Sequence, residues 1–358
     1  MKAIIAGVGS VGRNVARQFA TRGELEQVLA YDVNPDQLKS LEGIPRLQTI
    51  TDYHAALKDP EVGVVFVITP NSTHSSLIRA ALEHGKAVMC EKPIATTLQE
   101  AREVVELAER KKLFFQVGFE LRYSLLYVKV KEWIDAGLLG QVVNTQCNYV
   151  CNEFHGKGSW RNKTETGGSM FGEKLSHYVD LPRWWIGSEV VNVHSLCAPN
   201  LVKYMEVHDN YHTTYRFANG AVSHLSFCMY LGETDSDDPL RSQSIEQKDD
   251  GHELRYLIMG TKGAVETDVY RRRIRRWEFG DSPKCFTSKL VETMTWDPKD
   301  DAAYYHDIGA QNVDIVKRVM EGRPPATPAR DAYETMRLVF AAEESANSGK
   351  IVNLKDMV

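Results

Sequence analysis

Long apolar runs are missing from this chain. None approaches the ~20 residues of a membrane-spanning helix, so no membrane partner is expected. An excess of one charge is missing too. There are 43 Lys and Arg against 48 Asp and Glu, a net charge of −5, and nothing in that balance favours nucleic acid. Cysteine is sparse and scattered, at Cys90, Cys147, Cys151, Cys197, Cys228 and Cys285. No Cys-x-x-Cys pair and no zinc spacing occurs, so the reading is reduced thiols in a cytoplasmic protein with no metal site. Lys2 leads straight into an apolar stretch, so no signal peptide is expected before it. There is no internal repeat and no low-complexity tract. What remains is ordinary globular material, 43% hydrophobic and 25% charged, and 358 residues suggest two domains.

The opening residues carry the strongest signal. A short apolar strand runs into Gly7-Val-Gly9-Ser10-Val11-Gly12, and a helix-compatible stretch follows. Strand, Gly-x-Gly-x-x-Gly and helix in that order form a dinucleotide-binding turn. Gly7 permits the turn, Gly9 lets a pyrophosphate approach, and Gly12 lets the helix pack on the strand. Ser10 and Val11 complete the set facing the cofactor. A second strand ends at Asp32, twenty residues past Gly12. An acid there accepts hydrogen bonds from a ribose 2′-OH and repels a 2′-phosphate, which favours NAD over NADP.

Strand and helix patterns then alternate to about residue 120, as in a doubly wound parallel sheet. Val62–Thr69 reads as a central strand buried on both faces. Two strand ends in this region bear polar groups, where open α/β sheets place ligands. Thr69-Pro70-Asn71 and His74 follow one and are candidates for the cofactor ribose. Glu91-Lys92-Pro93 follows the next: Glu91 and Lys92 are further candidates for the cofactor, Lys92 can also point at a substrate oxygen, and Lys92–Pro93 is a candidate cis bond. Beyond residue 120 come a helix at 125–137 and strands at 142–151, 190–198, 211–217, 221–229, 254–259, 264–267 and 272–278. Asn219-Gly220 marks a hairpin between two of them. The pattern implies a largely antiparallel open sheet with helices on one face. Residues 231–253 form a long polar insertion, read as a mobile loop or a lid. Arg271–Arg276 is basic, yet within a strand it alternates between solvent and salt-bridge partners. Two helices, about 303–321 and 329–348, close the chain. The expected domains are 1–120 and 121–358, with the closing helices candidates to pack back on the first.

A third segment is chemical. Trp160-Arg161 precedes Gly167-Gly168-Ser169-Met170-Phe171-Gly172-Glu173-Lys174-Leu175-Ser176-His177. Glu173 and His177 are four apart, so in a helix they share a face. A carboxylate beside an imidazole orients the ring and raises its basicity. A capping acid beside a core histidine has the same spacing.

These residues together resemble the glucose–fructose oxidoreductase, inositol dehydrogenase and related sugar-dehydrogenase family (Gfo/Idh/MocA). The matching stretches are Gly7–Gly12, Thr69-Pro70-Asn71 with His74, Glu91-Lys92-Pro93, Gly118-Phe119-Glu120-Leu121-Arg122-Tyr123, Trp160-Arg161, Gly167–His177 and the final helix. The resemblance implies a Rossmann domain followed by an α/β domain with a large open sheet, through which members form dimers or tetramers. It implies that Lys92 hydrogen-bonds the reacting oxygen and that His177 takes the hydroxyl proton. Glu173 stands where many polyol dehydrogenases of the family carry Asp, with Lys174 beside it, and Ser169 replaces a glycine. Arg122, Tyr123, Trp160, Arg161, Glu173 and Lys174 are candidate substrate contacts. The implied activity is hydride transfer between NAD and a secondary hydroxyl of a sugar, inositol or sugar derivative. Two alternatives stand beside it. One keeps the cofactor for elimination or glycosidic cleavage through transient oxidation, with Glu173 or Tyr178 as base. The other keeps the fold as a non-enzymatic sensor of sugar or NAD.

Overall fold

The protein is described in a computed structural model over residues 1–229 and 251–357. The polar insertion therefore lies outside the described residues, except for its last three. The first stretch runs β1 (Lys2–Ala6), α1 (Ser10–Arg22), β2 (Gln27–Tyr31), α2 (Pro35–Lys39), β3 (Leu47–Ile50), α3 (Tyr53–Leu57), β4 (Val62–Val67), α4 (His74–Glu83), β5 (Ala87–Glu91), α5 (Leu98–Lys111) and β6 (Phe115–Gly118). Side-chain caps start three of these helices, α2, α3 and α5. The Asp52 side chain accepts from Ala55 N–H at 2.9 Å ahead of α3, and Thr97 accepts from Glu100 N–H at 3.2 Å ahead of α5. The short α2 and β3 carry too little apolar periodicity to stand out in the sequence.

The six strands form one parallel sheet in the order β3-β2-β1-β4-β5-β6. The order reverses between β1 and β4, where sheets of this kind bind ligands at the strands' carboxyl ends. The chain continues through α6 (Leu125–Asp135), β7 (Val142–Val150), α7 (Thr164–Gly167), α8 (Ser176–Ile186), β8 (Val190–Leu196), β9 (Asn210–Phe217), β10 (Val222–Cys228), β11 (Glu253–Gly260), β12 (Gly263–Asp268), β13 (Arg273–Asp281), β14 (Phe286–Thr295), α9 (Asp301–Tyr305), α10 (Ile308–Glu321), α11 (Ala329–Ser348) and β15 (Val352–Asn353).

Two compact units divide this chain. The first holds residues 1–119, 164–168 and 308–336; the second holds 120–163, 169–307 and 337–358. In the first, Ile315 and Val316 of α10 are fully buried in a core with Val15, Phe19 and Phe66. Gln116 forms an isolated antiparallel bridge with Pro328, and its Oε1 accepts from Ala326 N–H at 2.9 Å.

In the second unit the described strands order as β14-β13-β12-β11-β7-β10-β9-β8-β15. The pairings are antiparallel except for β7 with β10. Asn219-Gly220 makes the β9–β10 hairpin, with Gly220 at φ 88°. The arginine run is answered by carboxylates: Arg272 by Asp301, Arg273 and Arg275 by Glu266, Arg276 by Glu292. The expected closing helix at 303–321 is instead two helices, α9 and α10. His306 leaves helical geometry at φ −132°, ψ 73°. Ser124 stabilises the break from both sides: its hydroxyl donates to the Tyr305 carbonyl at 2.7 Å and accepts from Asp307 N–H at 3.3 Å.

Helix α8 lies on the sheet through aromatic contacts. Tyr178 meets Tyr149 with ring centroids 5.0 Å apart, and Trp185 meets Tyr256 at 5.1 Å. The helix contains Pro182, which has no N–H to give to the Tyr178 carbonyl one turn back. The Tyr256 hydroxyl fills that role, donating to the Tyr178 carbonyl at 2.6 Å. We expect Tyr256→Phe to leave this buried carbonyl unmet and to lower stability by about 1–3 kcal/mol, read by chemical denaturation. An unchanged midpoint would show that the carbonyl finds another donor.

Candidate active site

The first unit offers a cradle at the end of β1. Gly7 adopts φ 90°, and a Cβ there would lie 2.4 Å from the Ile68 carbonyl oxygen. A Cβ on Gly12 would lie 1.9 Å from the Gly7 carbonyl oxygen, so only glycine lets α1 sit this close. At Gly9, by contrast, a Cβ would meet nothing within 4 Å. That open space faces exposed Ser10 and Val11 at the N-terminus of α1, where unpaired N–H groups attract phosphate. Asp32 is held in place at the end of β2. Its Oδ2 accepts from Val8 N–H and its Oδ1 from Asn34 N–H, each at 2.9 Å. These residues fit a dinucleotide: glycine turn for pyrophosphate, carboxylate for ribose.

The ends of β4 and β5 are tied to each other. Lys92–Pro93 is cis. His74 is fully buried, with Nδ1 2.7 Å from the Pro93 carbonyl and Nε2 2.9 Å from that of Thr69. Burial, the largest influence, keeps its pKa below the ordinary value; the two carbonyls oppose this and the charge of Lys92 adds to it. The sequence reading put His74 and Asn71 at the cofactor. The structure buries both: His74 braces the two loops, and Asn71 donates to the Gly167 carbonyl at 2.8 Å. The Thr69 hydroxyl accepts from that of Thr73 at 2.7 Å, and Pro70 is exposed. Glu91 and Lys92 are half-buried at the end of β5.

In the second unit, Phe171–Leu175 forms a turn of π-helix leading into α8. Such turns recur at functional sites and break the four-residue register of an α-helix. The Glu173–His177 pairing read from the sequence rests on that register. Glu173 instead accepts from Arg161 Nε at 2.7 Å, with His155 Nε2 at 3.3 Å. The carboxylate beside His177 is that of Glu120, whose Oε1 is 3.4 Å from His177 Nε2. The same oxygen lies 2.7 Å from His306 Nδ1.

Arg122, a candidate substrate contact, is paired within the second unit. Its Nε and a terminal nitrogen donate to Asp180 at 2.7 and 2.6 Å, and the guanidinium lies over Trp184. This buried bidentate pair ties the turn at Glu120–Arg122 to α8. Tyr123 is half-buried, its N–H donating to the Glu120 carbonyl at 2.9 Å. Arg161 stacks on Trp160, and the Lys174 ammonium lies over Tyr149 and Phe154. Among the described residues no group of three or more acids, histidines and cysteines is arranged to hold a metal ion.

The family model described as "Oxidoreductase family, NAD-binding Rossmann fold" matches residues 1–119, and that for the "C-terminal alpha/beta domain" matches 131–354. The chain belongs to the Gfo/Idh/MocA oxidoreductase family. An inositol 2-dehydrogenase of Acidothermus cellulolyticus is 25% identical over 97% of this chain and 93% of its own length. An inositol 2-dehydrogenase of Rhodococcus jostii is 31% identical over 55% of this chain, which spans about half (52%) of that relative. Among solved structures, a levoglucosan dehydrogenase in complex with NADH and levoglucosan shares the fold. It aligns with a TM-score of 0.77 and 20% identity, covering 99% of this chain and 98% of its own.

Glu120, His155 and His306 were missed by sequence reasoning. Glu120 sits inside a stretch quoted for the family resemblance, but nothing local marks it as the neighbour of a histidine 57 residues on.

The glycines yield a paired test. Gly12→Ala should destabilise the protein by about 1–3 kcal/mol through overpacking, read by thermal or chemical denaturation. Gly9→Ala should leave stability unchanged and weaken NAD binding, read by fluorescence titration. Equal stability losses would contradict the open space at Gly9.

Proposed function

We propose that this protein is an NAD-dependent dehydrogenase acting on a secondary hydroxyl of a sugar, inositol or sugar derivative. The observation that carries the proposal is His177, buried at 2% exposure with the Glu120 carboxylate beside it, in a chain that also bears the glycine cradle and Asp32. Imidazole with a carboxylate neighbour suits proton exchange near neutral pH. The relatives named inositol 2-dehydrogenase support the substrate class.

In this reading Gly7, Gly9, Ser10, Val11 and Gly12 receive the pyrophosphate, and Asp32 accepts from the adenosine ribose, which excludes a 2′-phosphate. A bound nicotinamide supplies the hydride acceptor. Lys92 donates a hydrogen bond to the reacting oxygen and stabilises the charge that develops on it. His177 takes the hydroxyl proton. Arg161, held by Glu173 and 38% exposed at its side chain, is the candidate for binding a substrate hydroxyl. Six cysteines without a disulfide accord with a reducing compartment such as the cytoplasm. We place homo-oligomer contacts on the second unit's sheet, where β14 exposes Phe286, Leu290 and Val291.

The decisive assay follows reduced-nicotinamide absorbance with NAD or NADP across inositols, aldoses, glycosides and sugar acids. NAD-dependent turnover of a polyol or sugar is expected. Lys92→Ala and His177→Ala should each lower kcat/KM by about 10²–10⁴-fold while NAD affinity holds. Asp32→Ser should shift the NADP/NAD ratio of kcat/KM upward. Silence across the panel from protein that binds NAD would overturn the dehydrogenase reading, and turnover with NADP alone would overturn the role of Asp32.

A further inference from the structure

One carboxylate oxygen in the second unit serves two histidines. Glu120 Oε1 is 2.7 Å from His306 Nδ1 and 3.4 Å from His177 Nε2. The two rings stand edge to face with centroids 6.1 Å apart. The Glu120 and His177 side chains are 6% and 3% exposed, whereas that of His306 is 28% exposed. The three come from separate elements: the turn at Glu120–Arg122, the start of α8, and the break between α9 and α10. Other charged or titratable groups on these elements include the Arg122–Asp180 pair, Tyr178, Tyr305 and Asp307; farther along them, Arg183 pairs with Glu189 and Asp301 with Arg272. Arg122 and Asp180 balance each other. Tyr178 and Tyr305 bond each other through their hydroxyls, and burial pushes both well above the ordinary tyrosine range, so both stay neutral.

A buried carboxylate requires a compensating charge, and two imidazoles compete to supply it. We infer that Glu120 and His306 are positioning residues for proton transfer at His177: the single carboxylate balances one imidazolium, His306 at rest and His177 once it has taken a proton from substrate. This inference rests on the assignment of His177 as the proton acceptor. The balance is simple. One proton moves from the substrate hydroxyl to His177, and one leaves the outer nitrogen of His306 for water. The Nδ1–H of His306 stays on Glu120, and the electron pair of the substrate C–H leaves as hydride in the reaction already described. The charge around Glu120 is the same before and after. The long 3.4 Å contact to His177 fits a site in its resting state, since catalytic hydrogen bonds tighten when substrate binds.

The sign is testable, because removing either partner moves His177 in opposite directions. Loss of the carboxylate in Glu120→Gln removes the group that favours charged His177. Loss of the competing cation in His306→Asn frees the carboxylate for His177. Histidine titrations by NMR on the whole protein need no substrate and so stand apart from the dehydrogenase reading. The His177 midpoint should fall by about one pH unit or more in Glu120→Gln and rise by a similar amount in His306→Asn. With a substrate in hand, oxidation requires neutral His177. The rising limb of kcat against pH should therefore move to lower pH in Glu120→Gln and to higher pH in His306→Asn. In Glu120→Gln, kcat should drop about ten-fold with KM little changed. Should Glu120→Gln fail to fold, Glu120→Asp keeps the charge at a shorter reach, and its His177 midpoint should fall by less than a loss of charge demands. A His177 midpoint that is unmoved, or that moves the same way in the carboxylate and His306 variants, overturns the inference.

Discussion

The second unit's chemistry depends on how α8 is held against its sheet. Pro182 removes a helical hydrogen bond in the middle of that helix, and the Tyr256 hydroxyl from β11 takes the orphaned carbonyl. The rings of Tyr149, Tyr178, Trp185 and Tyr256 pack around this bond. From the helix so fixed, Asp180 reaches Arg122 and thereby sets the turn that presents Glu120 to His177. A hydroxyl on a sheet strand thus bears on where a histidine ring and its carboxylate meet.

Buried carboxylates in the second unit are met by cations or imidazoles on both faces of its sheet. Asp180 is 1% exposed and bidentately bound, Glu173 meets both Arg161 and His155, and Glu266 meets Arg273 and Arg275. Such pairs are poor sources of net stability, because desolvation opposes their attraction. Their value lies in geometry: a planar guanidinium on a carboxylate permits few arrangements. Removing one member would leave a buried charge without its counterpart, so these positions tolerate exchange of pairs better than of single residues.

Much of this was legible from the chain because it rests on local rules. Gly7, Gly9 and Gly12 followed by Asp32 define their turn within 26 residues, Asp52 and Thr97 cap helices three positions on, and Asn219-Gly220 makes a two-residue hairpin. What escaped depends on departures from regular periods or on distant partners. The π-turn at Phe171–Leu175 upset the four-residue spacing behind Glu173 and His177. The break at His306 was hidden because apolar positions continue through it, and the serine hydroxyl that stabilises it lies at position 124. β14 is mostly exposed on both faces, so it lacks the alternation that marks a half-buried strand. That His74 and Asn71 bond backbone carbonyls is likewise a matter of tertiary contact, which no local pattern carries.

The interleaving of the two units bears on how the protein is made. Ile315 and Val316 complete the core beneath β1 and β4, and the Gln116–Pro328 bridge closes the edge strand, yet these residues are synthesised some two hundred positions after β6. The cofactor-binding unit therefore emerges from the ribosome with its core uncovered, and it stays so while strands β7 to β14 of the second sheet are translated. A fragment ending near residue 120 would keep the nucleotide fingerprint but lack part of its own interior.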